Sequence, residues 1–246
     1  MAAKKTSKKT GKALKPKAGE RKFRPLRWLL RKAVWAGVIA MGLMVLAVVI
    51  YAGLNPPTTH TMWSEGRRLG AGVDQHWVDA DEVAPVMLRS VVAAEDANFC
   101  NHWGFDMNAI RAAIADGARR GGSTISQQVV KNVYFWQERS YVRKALEGVM
   151  TPMVEAVWSK RRILEVYVNV AEFDEGVFGV EAAARHYFGV GPDQLSARQA
   201  ALLAAVLPSP KKRSASRPSG FVAKRARIIQ DGAATIKRDG RADCFE

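Results

Sequence analysis

Residues 33–54, AVWAGVIAMGLMVLAVVIYAGL, run for twenty-two positions without a charged side chain. As a helix rising ~1.5 Å per residue, the run reaches about 33 Å, the thickness of a hydrocarbon core. A buried helix of a soluble protein rarely stays apolar on every side for six turns, so the run predicts a membrane span. A cleavable signal peptide has a shorter apolar core, about 7 to 15 residues, followed by a small-x-small site. Here the run carries Tyr51 near its end and leads into Asn55, Pro56 and Pro57. It is expected to stay on the chain as an anchor.

Charge is distributed around that anchor, not evenly. The formal net charge is +15, of which residues 1–32 supply +12, with thirteen Lys or Arg against the single Glu20. Residues 211–246 hold ten cations against four acids, so the body between the two ends is close to −3. A basic cluster immediately before a span stays in the cytoplasm, which exports everything after residue 54. A tail so placed works in topology and on anionic headgroups, and nucleic acid is not an expected partner. The 246 residues suffice for one domain of ordinary size plus an appendage. Cys100 and Cys244 both fall on the exported side, where a disulfide can persist; two cysteines allow one bridge or none.

The organisation that follows is helical. Residues 55–79 are rich in Pro, Thr and Gly and read as a linker off the membrane. Val83, Met87, Val91 and Ala94 have helical spacing over 84–94, with Pro85 suited to the first turn and Asp81 as the cap. Residues 140–158 repeat apolar positions at Val142, Leu146, Val149, Met153 and Val157, although Pro152 should kink or interrupt the helix. Residues 160–170 form another helix, and 181–188 a further one stopped by Gly189. Ser196 and Gln199 have capping-box spacing before the apolar run 200–207, which Pro208 ends. No alternating strands or internal repeats stand out. The fold class is mainly α, with a body over 80–210 and a basic C-terminal tail over 211–246.

Four clusters place polar residues where an amphipathic helix does not need them. In EDANFCNHWGFD (95–106), Glu95 follows Val91 by four residues and so lies in line with an apolar face. Desolvation there raises the pKa of the carboxylate and makes it a better proton acceptor; the bland alternative is a capping acid. His102 reads as a structural hydrogen-bonding residue, since no second ligand stands at metal spacing. In GGSTISQQVVKN (121–132), Ile125, Val129 and Val133 fall on one side, and Thr124, Gln128 and Lys131 on the other with Ser123 and Gln127 beside them. Free amides at that helix start, first-turn hydroxyls and an ammonium two turns along make a receptor for phosphate oxygens. The third, RSYVRKALE (139–147), adds Arg139, Arg143, Lys144 and Glu147; as a surface pair, Arg143 and Glu147 would contribute only ~0.3 to 0.5 kcal/mol. The fourth, over 160–189, reads mostly as close packing. Two carboxylates with a cationic cradle beside a membrane suggest a lipid-linked substrate with a phosphate leaving group.

EDANFCNHWGFD, GGSTISQQVVKN, RKALE and RRILEVYVNVAEFDEGVFGVEAAARHYFG, in this order, resemble the successive motifs of the peptidoglycan glycosyltransferases, and among them the monofunctional biosynthetic transglycosylases. The resemblance spans about residues 80–210. It implies a lysozyme-like helical domain with a head and a smaller jaw that dips into the membrane, for which Val133, Tyr134, Phe135 and Trp136 are the lipid-touching candidates. It further implies that Glu95 acts as base toward the 4-hydroxyl of the acceptor sugar and that Glu147 organises the donor site. Ser123, Gln128, Lys131 and Arg139 match positions that hold the donor's phosphates or line its site. The implied partners are lipid II, lipid-linked glycan and membrane lipids, with cell-division or elongation proteins as recruiters. No cofactor is required, although a divalent cation near the pyrophosphate helps some members of the family. The resemblance places the body on the periplasmic face of the inner membrane.

Rival readings leave residues unused. A muramidase also needs an acidic residue in a helical domain, but an uncharged glycosidic link gives no work to Lys131 and Arg139. Asp79-Ala80-Asp81 mimics a metal-binding DxD and is more simply a helix cap. A Cys100–Cys244 bridge would pin the tail beside the first cluster; the alternative is a buried thiol at Cys100 and a dangling Cys244.

Overall fold

The computed structural model describes residue 2 and residues 25–117, 122–138 and 140–246. It divides into two compact units, residues 1–42 and 43–246. In the first, the residues from Pro25 onward belong to helix α1 (Pro25–Gly53), and Leu29, Val34, Trp35 and Ile39 are all exposed. Among the described residues, the stretch Leu26–Gly53 is the one helix long and apolar enough to cross a membrane. It starts earlier than the uncharged run because Leu26, Trp28, Leu29 and Leu30 extend the apolar surface around Arg27, Arg31 and Lys32. Long cationic side chains of that kind keep their heads in a polar layer while their stems lie on apolar surface.

In the second unit the end of α1 is tied down by its own orphan carbonyls. The last carbonyls of a helix lack intrahelical partners and carry partial negative charge. Arg162 donates to the carbonyls of Tyr51 and Leu54 at 3.1 and 2.8 Å. One turn earlier, Trp158 Nε1 donates to the Val48 carbonyl at 2.8 Å, and both side chains are buried. Residues 55–79 are not the expected open linker. They contain helix α2 (His60–Leu69), capped by Thr59 and ended by Gly70 at a φ of 66°, and the short strand β1 (Asp74–Gln75). Polar composition concealed α2: Glu65 is buried on it, held by Arg68 and by Lys211 at 2.7 Å.

The body is built from α3 (Pro85–Glu95), α4 (Met107–Ala115), α5 (Ile125–Tyr134), α6 (Tyr141–Val157), α7 (Lys160–Val170), α8 (Val180–Phe188), α9 (Ala197–Val206) and α10 (Gly220–Arg238). Pro85 does stand at the first turn of α3, but Asp81 does not cap it. Asp81 sits in a preceding 3-10 turn, Ala80–Glu82, and pairs with Arg161. Helix α6 continues through Pro152, so the proline costs one backbone hydrogen bond without ending the helix. The strands β2 (Glu172–Asp174) and β3 (Val177–Phe178) make, with β1, a small sheet of order β1-β3-β2, parallel between β1 and β3 and antiparallel between β3 and β2. Such two- and three-residue strands are too short to show alternation in a sequence.

Helices α3, α9 and α10 pack on one another, and α5 lies against α6 and α7. Residues 211–246 are therefore no tail. Val222, Ala226, Ile229, Ala233 and Ile236 form a buried stripe at helical spacing along α10. Its signal was masked by the cations Lys224, Arg225 and Arg227 between the stripe positions. Beyond α10, Cys244 is bonded to Cys100, with their Cα atoms 5.7 Å apart, and Phe245 is buried against Phe99.

Val133 and Phe135, expected at a lipid surface, are buried in the core. Tyr134 donates to the Ala47 carbonyl at 3.4 Å, and Trp136 packs edge-on against Phe135. The exposed apolar side chains nearby are instead Met107 and Ile114 on α4 and Tyr141 and Val142 at the start of α6. Because α10 completes the core, Ile229→Ala should destabilise the protein by about 2 to 5 kcal/mol, the cost of a large-to-small change in a core. A thermal melt checks this, and an unchanged melting temperature would return residues 211–246 to the status of a tail.

Candidate active site

Glu95 is the last residue of α3 and faces the first turns of α5. That arrangement rests on its neighbour. Asp96 is buried, accepts from the Ile125 amide at 3.0 Å, and meets His102 Nε2 at 2.9 Å. The first free amide of α5 is thus occupied by a protein carboxylate. Thr124 and Gln127 are likewise spent on a capping box and buried, and Thr124 also donates to the Gly104 carbonyl at 2.7 Å. The expected anion receptor at the helix start is therefore filled from within. His102 takes the structural role expected of it.

With α5 fixed in this way, Gln128 donates to Glu95 Oε2 at 3.0 Å, and Tyr167 Oη donates to Gln128 Oε1 at 3.4 Å. The other carboxylate oxygen, Oε1, is buried without a hydrogen bond, its nearest cation being Arg225 Nη2 at 3.8 Å. Burial raises the pKa of Glu95, and the hydrogen bond from Gln128 and the charges of Arg225 and Lys131 offset part of that rise. Lys131 lies one turn along α5. Its pKa is lowered, first by burial, while Glu147 and Glu95 act in the opposite direction. Among the described residues its ammonium makes no hydrogen bond or ion pair, so its donors are free to meet a ligand.

Glu147 comes from α6 and is only 2% exposed. Arg143, itself 9% exposed, pairs with one oxygen, and Lys144 Nζ lies 3.0 Å from the other. This is a buried cluster and not the surface pair that the i,i+4 spacing alone allows; leaving its carboxylate without partners would cost several kcal/mol. Lys144 also reaches Ser123 Oγ at 3.4 Å, which links the second and third motifs. Arg139 and Gly121 lie outside the described residues. Under the site, Ser126 and Lys160 converge on Glu155, and Lys160 continues to the His102 carbonyl at 2.8 Å. Spacing along the chain did not show this buried network, because its members come from three motifs and, at Glu155, from outside all four.

The Glu95–Gln128 pair stands between two crevices. Glu95, Ser123, Asp106 and Arg241 border one of ≈ 350 Å³; Gln128, Lys131, Asn132, Glu65 and Tyr167 border another of ≈ 410 Å³. Arg225 and Arg241 were missed by motif reading because both come from the C-terminal segment. Among the described residues, no three His, Cys, Asp or Glu side chains are grouped to hold a metal ion. Glu147 is already paired with two cations, Arg143 and Lys144.

The structure thus brings a desolvated carboxylate, Glu95, together with Gln128, Lys131 and Arg225 on a helical scaffold. The family model described as Transglycosylase matches residues 64–233, and the chain belongs to that family. Proteins named biosynthetic peptidoglycan transglycosylase are similar along most of their length. The one from Jannaschia sp. (strain CCS1) is 62% identical over 220 residues, covering 89% of this chain and 90% of the relative. Those from Caulobacter vibrioides and Yersinia pseudotuberculosis are each 46% identical, covering 81% and 82% of this chain and 89% and 88% of the relatives. The domain is mainly α and lysozyme-like, behind a single-pass membrane anchor.

The geometry sets the direction of a pH effect. If Gln128→Ala removes the hydrogen bond that lowers the Glu95 pKa, the pKa rises further, and the carboxylate becomes protonated at higher pH. The acid limb of a kcat/KM profile should therefore move to higher pH in Gln128→Ala than in wild type. An unmoved limb would mean that Glu95 does not set it.

Proposed function

We propose that this chain polymerises the glycan strands of peptidoglycan from lipid II. The coarse activity, peptidoglycan transglycosylation in cell-wall synthesis, follows from the family and from relatives of up to 62% identity. The finer reading rests on one observation: Glu95 is desolvated and hydrogen-bonded by Gln128, while Lys131, one turn beyond Gln128 on α5, offers an ammonium that is unpaired among the described residues.

In this reading Glu95 takes the proton from the 4-hydroxyl of lipid II as that oxygen attacks the anomeric carbon of the lipid-linked glycan. The bond to the diphosphate breaks from the opposite face, giving inversion, a β-1,4 link and free undecaprenyl diphosphate. Lys131 receives the growing negative charge, with Arg139 and Ser123 as further donor-site contacts. Glu147 holds Arg143 and Lys144 in place beside it. Gln128 serves first by orienting Glu95. An uncharged leaving group, as in hydrolysis of a glycan, has no use for this set of cations. The basic N-terminal segment is placed in the cytoplasm and the body on the periplasmic side of the inner membrane, where α4 and the start of α6 offer apolar side chains to lipid.

Glu95→Gln keeps the side-chain volume but cannot accept the proton. With labelled lipid II and full-length protein, formation of lysozyme-sensitive polymer should fall by ~10² to 10⁴, the usual contribution of a general base. Retention of more than about a tenth of the wild-type rate would remove Glu95 from that role. Lys131→Ala should weaken binding of a phosphoglycolipid that imitates the donor as well as slow turnover, and unchanged affinity would remove the phosphate contact.

A further inference from the structure

The segment after α10 is held against the catalytic turn by contacts unconnected with the core stripe of that helix. Arg241 Nη1 donates to the Ala97 carbonyl, two residues from Glu95, at 3.0 Å, and the same side chain borders the crevice that Glu95 lines. Cys244 is bonded to Cys100. Phe245 is buried with its ring centroid 6.4 Å from that of Phe99, and Phe99 lies in turn under the Lys160 ammonium at 4.5 Å. Two clamps fix the outer end of the strap: Arg161 Nη1 donates to the Phe245 carbonyl at 2.8 Å, and Arg89 pairs with Glu246 at 2.7 Å. Residues 96–102, which carry Asp96 and its partner His102, are therefore gripped from below by residues 241–246.

We propose that this bridged C-terminal strap is a redox-sensitive positioning element for Glu95. With the Cys100–Cys244 bond closed, Arg241 and Phe245 hold the 96–102 turn in the shape that presents the Glu95 carboxylate to Gln128. Opening the bond requires two electrons and two protons from a dithiol, which becomes the corresponding disulfide while Cys100 and Cys244 become thiols. Both cysteines are half-buried. Once open, the strap is left with its noncovalent contacts alone, and the turn gains freedom at the point where the chemistry needs it least. Closing a loop of 144 residues withdraws a large conformational entropy from the open chain. Arg241, Cys244 and Phe245 are positioning residues here and touch no reacting atom. The inference rests on the assignment of Glu95 as the base.

The test uses the full-length chain in detergent micelles with labelled lipid II. Four samples are compared: oxidised wild type, wild type reduced with dithiothreitol to two titratable thiols, Cys244→Ser, and Arg241→Ala. The expected result is a fall in kcat of about tenfold or more in the reduced enzyme and in Cys244→Ser, the scale set by a small misplacement of a catalytic group. Arg241→Ala, with its bridge intact, should fall in the same direction. The KM for lipid II and the affinity for a donor-like phosphoglycolipid should change by less than about threefold, since the donor cations are untouched. Reoxidation should restore wild type and not Cys244→Ser. Full kcat in the reduced enzyme and in Arg241→Ala would overturn the proposal. So would parallel loss of kcat, phosphoglycolipid binding and helical circular dichroism, which would make the bridge a fold staple only. A Glu95→Gln enzyme with normal turnover would remove the base itself, whereas an inactive Glu95→Gln enzyme beside an unaffected reduced enzyme would remove the strap alone.

Discussion

The buried carboxylate of Asp96 joins the end of one helix to the start of another. It fills the first amide of α5 and at the same time fixes His102, so the turn that follows α3 closes on itself before it reaches the next element. An anion at a helix start is stabilised by free amides and by the helix dipole, and a buried anion needs such partners to be tolerated at all. Glu95 is next in the chain and inherits its direction from this staple. Without it, nothing in α3 would aim a carboxylate at Gln128 across the gap between two helices. The capping box of Thr124 and Gln127 and the Glu155–Ser126–Lys160 network then lock the same junction from the other side.

The cations of the site are arranged on a comparable principle. Arg143 and Lys144 are consumed by Glu147, which is why that carboxylate can sit 2% exposed in the interior. Among the described residues, Lys131 is left without such a partner. A half-buried ammonium lacking an ion pair is costly in the free protein, and on the proposed reading the donor's phosphate charge supplies the missing partner. The incomplete pairing places the demand for an anion at one position on α5, not across the whole basic surface.

Much of this was legible from spacing. The membrane helix, the capped start of α9, the Gly189 stop and the position of Glu95 on an apolar face depend on residues close in sequence, where periodicity and capping chemistry act directly. The misreadings share a cause. Thr124 and Gln127 look like ligand-facing polar residues until Gly104 and the helix start itself are brought beside them. Val133 and Phe135 look like lipid contacts until the α1 end, α6 and α7 cover them. In α10 the apolar stripe is sound, but cations at the intervening positions lowered its contrast; in α2 a buried Glu65 replaced an apolar residue, and its counter-charge Lys211 lies 146 positions away. Long-range pairing cannot be read from local pattern, and here it decides which polar residues face the ligand.

The two titrating groups of the site are pushed toward neutrality by the same burial, Glu95 upward and Lys131 downward. On the proposed reading, arrival of the donor acts on them differently. Diphosphate charge beside Lys131 favours the ammonium, removing the penalty of its burial and fixing the cation where the leaving group departs. The same negative charge disfavours ionised Glu95 and so strengthens it as a proton acceptor, at the moment an acceptor hydroxyl is placed before it. Gln128 and Arg225 work against that rise. A base made stronger by its own substrate, and restrained in the empty enzyme by a neutral amide and a guanidinium 3.8 Å away, is a consequence of placing these groups at the α3–α5 junction.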